Sequence, residues 1–177
     1  MINFIYQTLY ALVKLCFLRK DSSPADLPHS YSLLLFLLGT EIVLNVASLS
    51  QLKGTYWPEV VAAFLVSTLL LSVLLYSLLA KKQYQNRFIQ TLTAWFGTTL
   101  VLSLFSHLLI LPWPNENVVA QSVIILIFLM WGINVKAHIL KLSLVLKTTH
   151  AFLIAIAIIL VSALPVQFIL SSTLQAK

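Results

Sequence analysis

The chain has 177 residues, of which 60% are hydrophobic and only 9% charged, with a formal net charge of +6. A soluble domain carries roughly 25% charged residues, so this composition, with a mean hydropathy of +0.97, excludes a water-facing globular surface and makes lipid the solvent. The single cysteine, Cys16, excludes an internal disulfide and a thiolate metal cluster. The basic residues sit at the ends of apolar runs and form no patch with interleaved aromatics, which excludes nucleic acid as the partner.

Residues 1–20 predict an interfacial amphipathic helix. Asn3, Gln7, Tyr10 and Lys14 recur at helical spacing as one polar stripe, and Ile2, Phe4, Ile5, Leu9, Leu12, Val13 and Phe17 cover the rest. The basic residues follow the apolar stretch and no small-x-small site comes after it, so no cleavable signal is expected. Residues 21–31 form a linker, the most polar stretch of the chain, in which Pro24 and Pro28 stop helix and Ser30 can cap the next one.

Five apolar runs follow, at 32–49, 60–79, 92–111, 118–135 and 150–170, with a tail at 172–177. Each is about the length that crosses a hydrocarbon core of about 30 Å. Each must be helical, because lipid offers no partner to a bare amide. Between them lie two breaker-rich connections, with Gly54 and Pro58 in one and Pro112 and Pro114 in the other, and a polar turn at 80–90 that carries Tyr84. Trp131 is expected at the membrane boundary of the fourth span, and 136–149 is expected to be a basic connection.

Direction follows from charge. Nine of the eleven Lys and Arg residues form three clusters, Lys14/Arg19/Lys20, Lys81/Lys82/Arg87 and Lys136/Lys141/Lys147, while the alternate connections and the tail hold only Lys53 and Lys177. Basic residues in short loops stay cytoplasmic. The expectation is an all-α polytopic bundle of five transmembrane helices, N-terminus inside and C-terminus outside, in a bacterial inner membrane. The basic clusters are candidate contacts for lipid headgroups or a partner.

Glu41 is the one carboxylate inside a predicted span, and an ionisable group at that depth faces the bundle or a cavity. Asn45 shares its helix face, and His107 and Gln121 are placed at similar depth by counting along their spans. Glu41, Asn45, His107 and Gln121 are therefore expected to cluster in the outer half. There they would act either as hydrogen-bonded glue between helices or as a proton or ligand site. Gly39, Ala94 and Gly97 are candidate close-packing positions. No phosphate loop, GxSxG, HExxH or CxxC is present, and the four histidines have no metal-ligand spacing, so neither enzyme activity nor a cofactor or metal is expected.

The five-span layout with short loops, together with Trp131-Gly132-Ile133-Asn134-Val135-Lys136 leading through Leu140-Lys141 into a last apolar span, resembles the Yip family of small membrane proteins. That resemblance covers about residues 32–170 and implies a non-catalytic membrane organiser. The leading expectation is an accessory or scaffold subunit, or a Yip-like organiser, that contacts the bilayer and other subunits or a second copy. The alternative is a small transporter or proton-conducting component using Glu41 and His107.

Overall fold

The computed structural model describes residues 2–19, 22–49, 57–110 and 118–175, with side chains for 5–19, 22–44, 58–110, 119–168 and 171. Six helices make up the described residues, with no strand among them: α1 (Ile2–Cys16), α2 (Tyr31–Leu49), α3 (Trp57–Lys81), α4 (Phe88–Ile110), α5 (Val118–Leu144) and α6 (Thr148–Gln175). Four stretches are long and apolar enough to cross a membrane: Pro58–Lys81, Gln85–Ile110, Val119–Leu144 and Thr148–Phe168. Tyr31–Leu44 is a shorter apolar helix. The fold is that of a multi-pass membrane protein. Its outer surface carries Leu35, Phe36, Val43, Leu69, Val73, Leu108, Val119 and Leu160, all exposed.

Helix ends are set locally. The Ser30 hydroxyl accepts the Leu33 N–H at 3.3 Å and so caps α2. At the other kind of end, α1, α3 and α5 each close on a left-handed residue, Leu18, Gln83 and Val145, with φ of 54°, 62° and 53°. In each, an N–H just beyond the helix returns to a carbonyl of its last turn: Arg19 to Lys14 at 3.3 Å, Tyr84 to Leu79 at 2.8 Å and Leu146 to Lys141 at 3.1 Å. These are left-handed C-caps built without glycine.

Short turns at 82–87 and 145–147 fold α4 back on α3 and α6 back on α5. α3 lies along α6, α6 along α5, α5 along α4, and α4 along α2 and α1. At the end that holds Lys81, Lys82, Arg87 and Lys147, the core closes tightly around Leu75, Leu79, Leu92, Leu140, Leu144, Ala151 and Ala155. A side-chain hydrogen bond joins Thr91 to Ser143 at 3.0 Å in the same region. We call this the basic end.

Three expectations change. First, the fourth span does not stop at Val135. α5 runs on to Leu144, and only Val145–Lys147 separate it from α6. No glycine or proline interrupts residues 133–147, and Val135, Ile139, Leu140 and Leu144 fall on one buried face. Helical periodicity therefore outweighs the charges that suggested a loop. Second, the 21–31 segment is folded against the bundle over its described part. Ser23 and Asp26 form a capping box around a 3-10 turn at Pro24–Asp26, Leu27 is fully buried, and the Gln90 amide donates to the Ala25 and Leu27 carbonyls at 3.2 and 2.9 Å. Third, Trp131 sits within α5 and not at a helix end, and its indole N–H donates to the Cys16 carbonyl at 2.7 Å.

That last bond fixes α1. Its buried face is Thr8, Leu12, Leu15 and Cys16. Leu12 lies over Gly97 so closely that a Cβ there would come within 2.5 Å of it. Gly97 is nine residues into α4, which at 1.5 Å per residue is about 14 Å from that helix's basic end. α1 therefore packs on protein, against α4 and α5. On the other side of the helix Ile5, Tyr6, Leu9 and Tyr10 are exposed.

Candidate functional site

Beyond the sealed basic end the five helices α2–α6 part around a cavity of about 770 Å³. Its wall on α4 runs from Trp95 to Ser106, eleven residues or about 16 Å of helix. α3 contributes Phe64, Ser67, Thr68 and Leu71, α5 contributes Ile125, Phe128 and Gly132, and α6 contributes Ile159, Ser162 and Gln167. The residues nearest the basic end are Leu38, Leu71, Trp95 and Lys136. The cavity thus occupies the half of the bundle away from the basic end, and the packed leucines lie beneath it.

Two charged side chains face into it, Glu41 from α2 and Lys136 from α5. Glu41 is ten residues into α2, about 15 Å, and Lys136 is eight residues from the basic end of α5, about 12 Å, so helix rise alone brings them to one level. Each lies in the electrostatic field of the other. Lys136 is 7% exposed, the least accessible described cation. Its ammonium donates to the Trp95 carbonyl at 2.8 Å and to the Thr99 hydroxyl, and it sits 4.6 Å from the centroid of the Trp95 ring.

An uncompensated lysine at span depth costs about 3 kcal/mol on insertion scales. Two hydrogen bonds from a charged donor, at about 1.5–3 kcal/mol each, with a ring contact of about 1 kcal/mol, offset that cost. The α4 sequence is built for this. The Thr99 hydroxyl donates back to the Trp95 carbonyl at 2.8 Å, which leaves its oxygen turned to accept from Lys136, while the Thr98 hydroxyl donates to the Ala94 carbonyl at 2.7 Å. The Ser67 hydroxyl crosses to the Ser162 carbonyl at 2.6 Å, one turn before Pro165, whose missing N–H loosens that part of α6.

The sequence-derived cluster does not assemble as expected. Glu41 lines the cavity, but His107 is exposed on α4 and its Nδ1 engages the Ser103 carbonyl of its own helix at 2.7 Å. Gln121 is half-buried on α5 and is not part of the cavity wall. Asn45 lies in α2, and its side chain is outside the described residues. Counting residues fixes depth but not azimuth, and azimuth separates His107 from Glu41. Of the packing candidates, Ala94 is fully buried and Gly97 meets Leu12, whereas Gly39 is exposed with nothing within 4 Å of its Cβ position.

The basic clusters also divide. Lys81, Lys82, Lys147 and Arg19 are exposed, Lys141 is half-buried, and Lys20 is outside the described residues. Arg87 lies over the Tyr84 ring at 4.7 Å, and Lys14 over the Tyr10 ring at 4.7 Å. Among the described cluster residues only Lys136 is buried. Sequence reasoning missed it because a lysine flanked by Lys141 and Lys147 looks like a topology signal. It missed Trp95 and Thr99 because uncharged residues in a span carry no mark of their own. Among the described residues no three His, Cys, Asp or Glu side chains converge as a metal site.

Cys16, at the end of α1, is buried with its Sγ 3.9 Å from the Thr98 carbonyl. Burial, against the opposing pull of the Lys136 charge, pushes its thiol up to about 11. Comparison with protein-family models, with curated proteins and with solved structures finds no match to this chain.

Proposed function

We propose that this chain is a small transporter-type protein of five transmembrane helices that takes a small polar solute into the cavity between Glu41 and Lys136. The observation that carries the reading is the pair itself: an acid and a base face one roomy space lined by five helices, with hydroxyl groups on its walls. Helix glue would bring those groups together in a closed contact. A cavity of this size falls in the range of roughly 300–1,000 Å³ that ligand sites occupy. Lys136 takes the role that the sequence suggested for His107.

α2 counts as the fifth span on its 19-residue length. The basic end is assigned to the cytoplasm of a bacterial inner membrane by the asymmetry of Lys and Arg. The cavity then faces outward. Labelling of introduced cysteines tests this on a Cys16→Ser background. Ser106→Cys, Ser162→Cys and Gln167→Cys should react with a membrane-impermeant methanethiosulfonate added outside intact cells, and Leu140→Cys should not. Failure of all three wall positions, or labelling only from the cytoplasmic side, rejects the reading.

A scaffold or Yip-like organiser is the second reading. It is favoured by the exposed flank of α1, where Ile5, Tyr6, Leu9 and Tyr10 face away from the bundle and suit a partner subunit or lipid. Stoichiometric co-purification of another membrane protein, lost on Tyr6→Ala with Leu9→Ala, would support it.

A further inference from the structure

We infer that the solute is a zwitterion: a small molecule carrying one carboxylate and one ammonium beside an aromatic or branched apolar group, its carboxylate held by Lys136 and its ammonium by Glu41. The inference rests on the transporter reading and specifies its ligand.

Charge balance is the first ground. Glu41 and Lys136 together carry no net charge, whether the proton between them sits on the acid or the base. A singly charged solute entering the cavity would leave one buried charge uncompensated, which the low-dielectric interior penalises. A solute with no charge and no hydrogen-bonding groups would gain nothing from either charged group. A zwitterion meets both groups and keeps the sum at zero.

Donor arithmetic is the second. A lysine ammonium has three N–H donors. The Trp95 carbonyl and the Thr99 hydroxyl take two of them and fix the ammonium in place. One remains, and it can turn to a solute carboxylate. The walls supply the third ground. Phe64, Phe96, Phe128, Leu102, Ile125 and Leu129 surround the space above the pair and suit an apolar flank, while Ser103 can hydrogen-bond a solute oxygen.

The test uses three probes of one shape that differ only in charge, measured calorimetrically on full-length protein in lipid nanodiscs. They are L-phenylalanine, 3-phenylpropionate, which lacks the ammonium, and phenethylamine, which lacks the carboxylate. L-Phenylalanine should bind at least about tenfold more tightly than either analogue. Glu41→Gln makes the site net positive and should move the preference to 3-phenylpropionate, and Lys136→Met should move it to phenethylamine. The comparison on unaltered protein stands even if a variant fails to assemble. Equal binding of the three probes overturns the inference. So does binding of none of them while the wall cysteines are labelled, which leaves the cavity reading intact. Loss of that labelling removes the cavity reading and the inference with it.

Discussion

The two halves of the bundle use the same helices and pack them differently. At the basic end Leu75, Leu79, Leu92, Leu140 and Leu144 fill the space between α3, α4, α5 and α6, and Ala151 and Ala155 let α6 come close. One or two turns further along, the inward positions become Ser67, Thr68, Gly132, Ser162 and Ala163, and the cavity begins. Shorter side chains at these positions leave volume unfilled. The difference teaches that the void is written into side-chain size, and that a charged pair is tolerable where α4 supplies hydroxyl and carbonyl partners at its floor.

The strongest way to break that comparison is to remove one charge from the floor. Lys136→Ala should cost about 3–5 kcal/mol of stability, because Glu41 is left facing the cavity without its counter-charge. The double change Glu41→Gln with Lys136→Met should recover most of it, since both members of the pair are then gone. Thermal unfolding of wild type, Glu41→Gln, Lys136→Met and the double variant in one detergent measures the coupling. Strictly additive losses would show that Glu41 and Lys136 do not act together.

Next in size is a pair of opposite volume changes. Leu140→Ala in the sealed half should cost about 2–5 kcal/mol through the cavity it creates. Ala163→Leu adds volume on the cavity wall, where overpacking normally costs about 1–3 kcal/mol. Here it should cost under about 1 kcal/mol, because the space is already open. Equal penalties at the two positions would mean that the cavity closes in the membrane.

How much of this is legible in the sequence follows from what each residue type signals. Apolar runs bounded by Gly54, Pro58, Pro112 and Pro114 mark where helices must break, so the order of the spans can be read directly. Glu41 stands out because a carboxylate in a span has no neutral explanation. Lys136 does not, because a lysine has two meanings near a membrane, anchor or buried partner, and only the continuation of α5 to Leu144 separates them. His107 falls at a plausible depth but on an exposed azimuth, which sequence spacing does not fix between different helices. The docking of α1 is half legible: Gly97 points to a close approach, but the approaching residue, Leu12, comes from a helix whose polar stripe suggests the headgroup plane.

A smaller effect sharpens the place of α1 in this division. Gly97→Leu would collide with Leu12 and should cost about 1–3 kcal/mol, with its main signature at Cys16. The Cys16 thiol has an ordinary value of 9.0 and is raised by burial to about 11. Only the thiolate reacts, so N-ethylmaleimide should label the folded protein very slowly at pH 8, and Gly97→Leu should speed that labelling. The raised value also sets a pH window. Between about 9 and 11 the unfolded chain has lost this proton and the folded chain keeps it, so the stability due to the buried thiol falls as pH rises through that interval. Cys16→Ala should flatten that part of the profile. An unchanged labelling rate in Gly97→Leu would mean that α1 is held at Trp131 and not at Gly97.

The smallest expected effect lies outside both halves. Val145 closes α5 with φ of 53° and its side chain is exposed. A β-branched residue in the left-handed region carries a penalty of roughly 1–2 kcal/mol that glycine avoids. Glycine in turn loses more backbone entropy on folding, roughly 0.5–1 kcal/mol. Val145→Gly should therefore gain about 0.5–1 kcal/mol, a rise of a few degrees in the thermal midpoint. It should leave labelling at Ser106→Cys and Gln167→Cys unchanged, because the turn touches only the sealed end. A lower midpoint would show that the Val145 side chain, and not its backbone, matters at the α5–α6 turn, as expected of a residue that rests on lipid headgroups or a partner. A changed labelling rate would show that the turn and the cavity are mechanically linked through the leucine core, and the two halves would then have to be treated as one moving body.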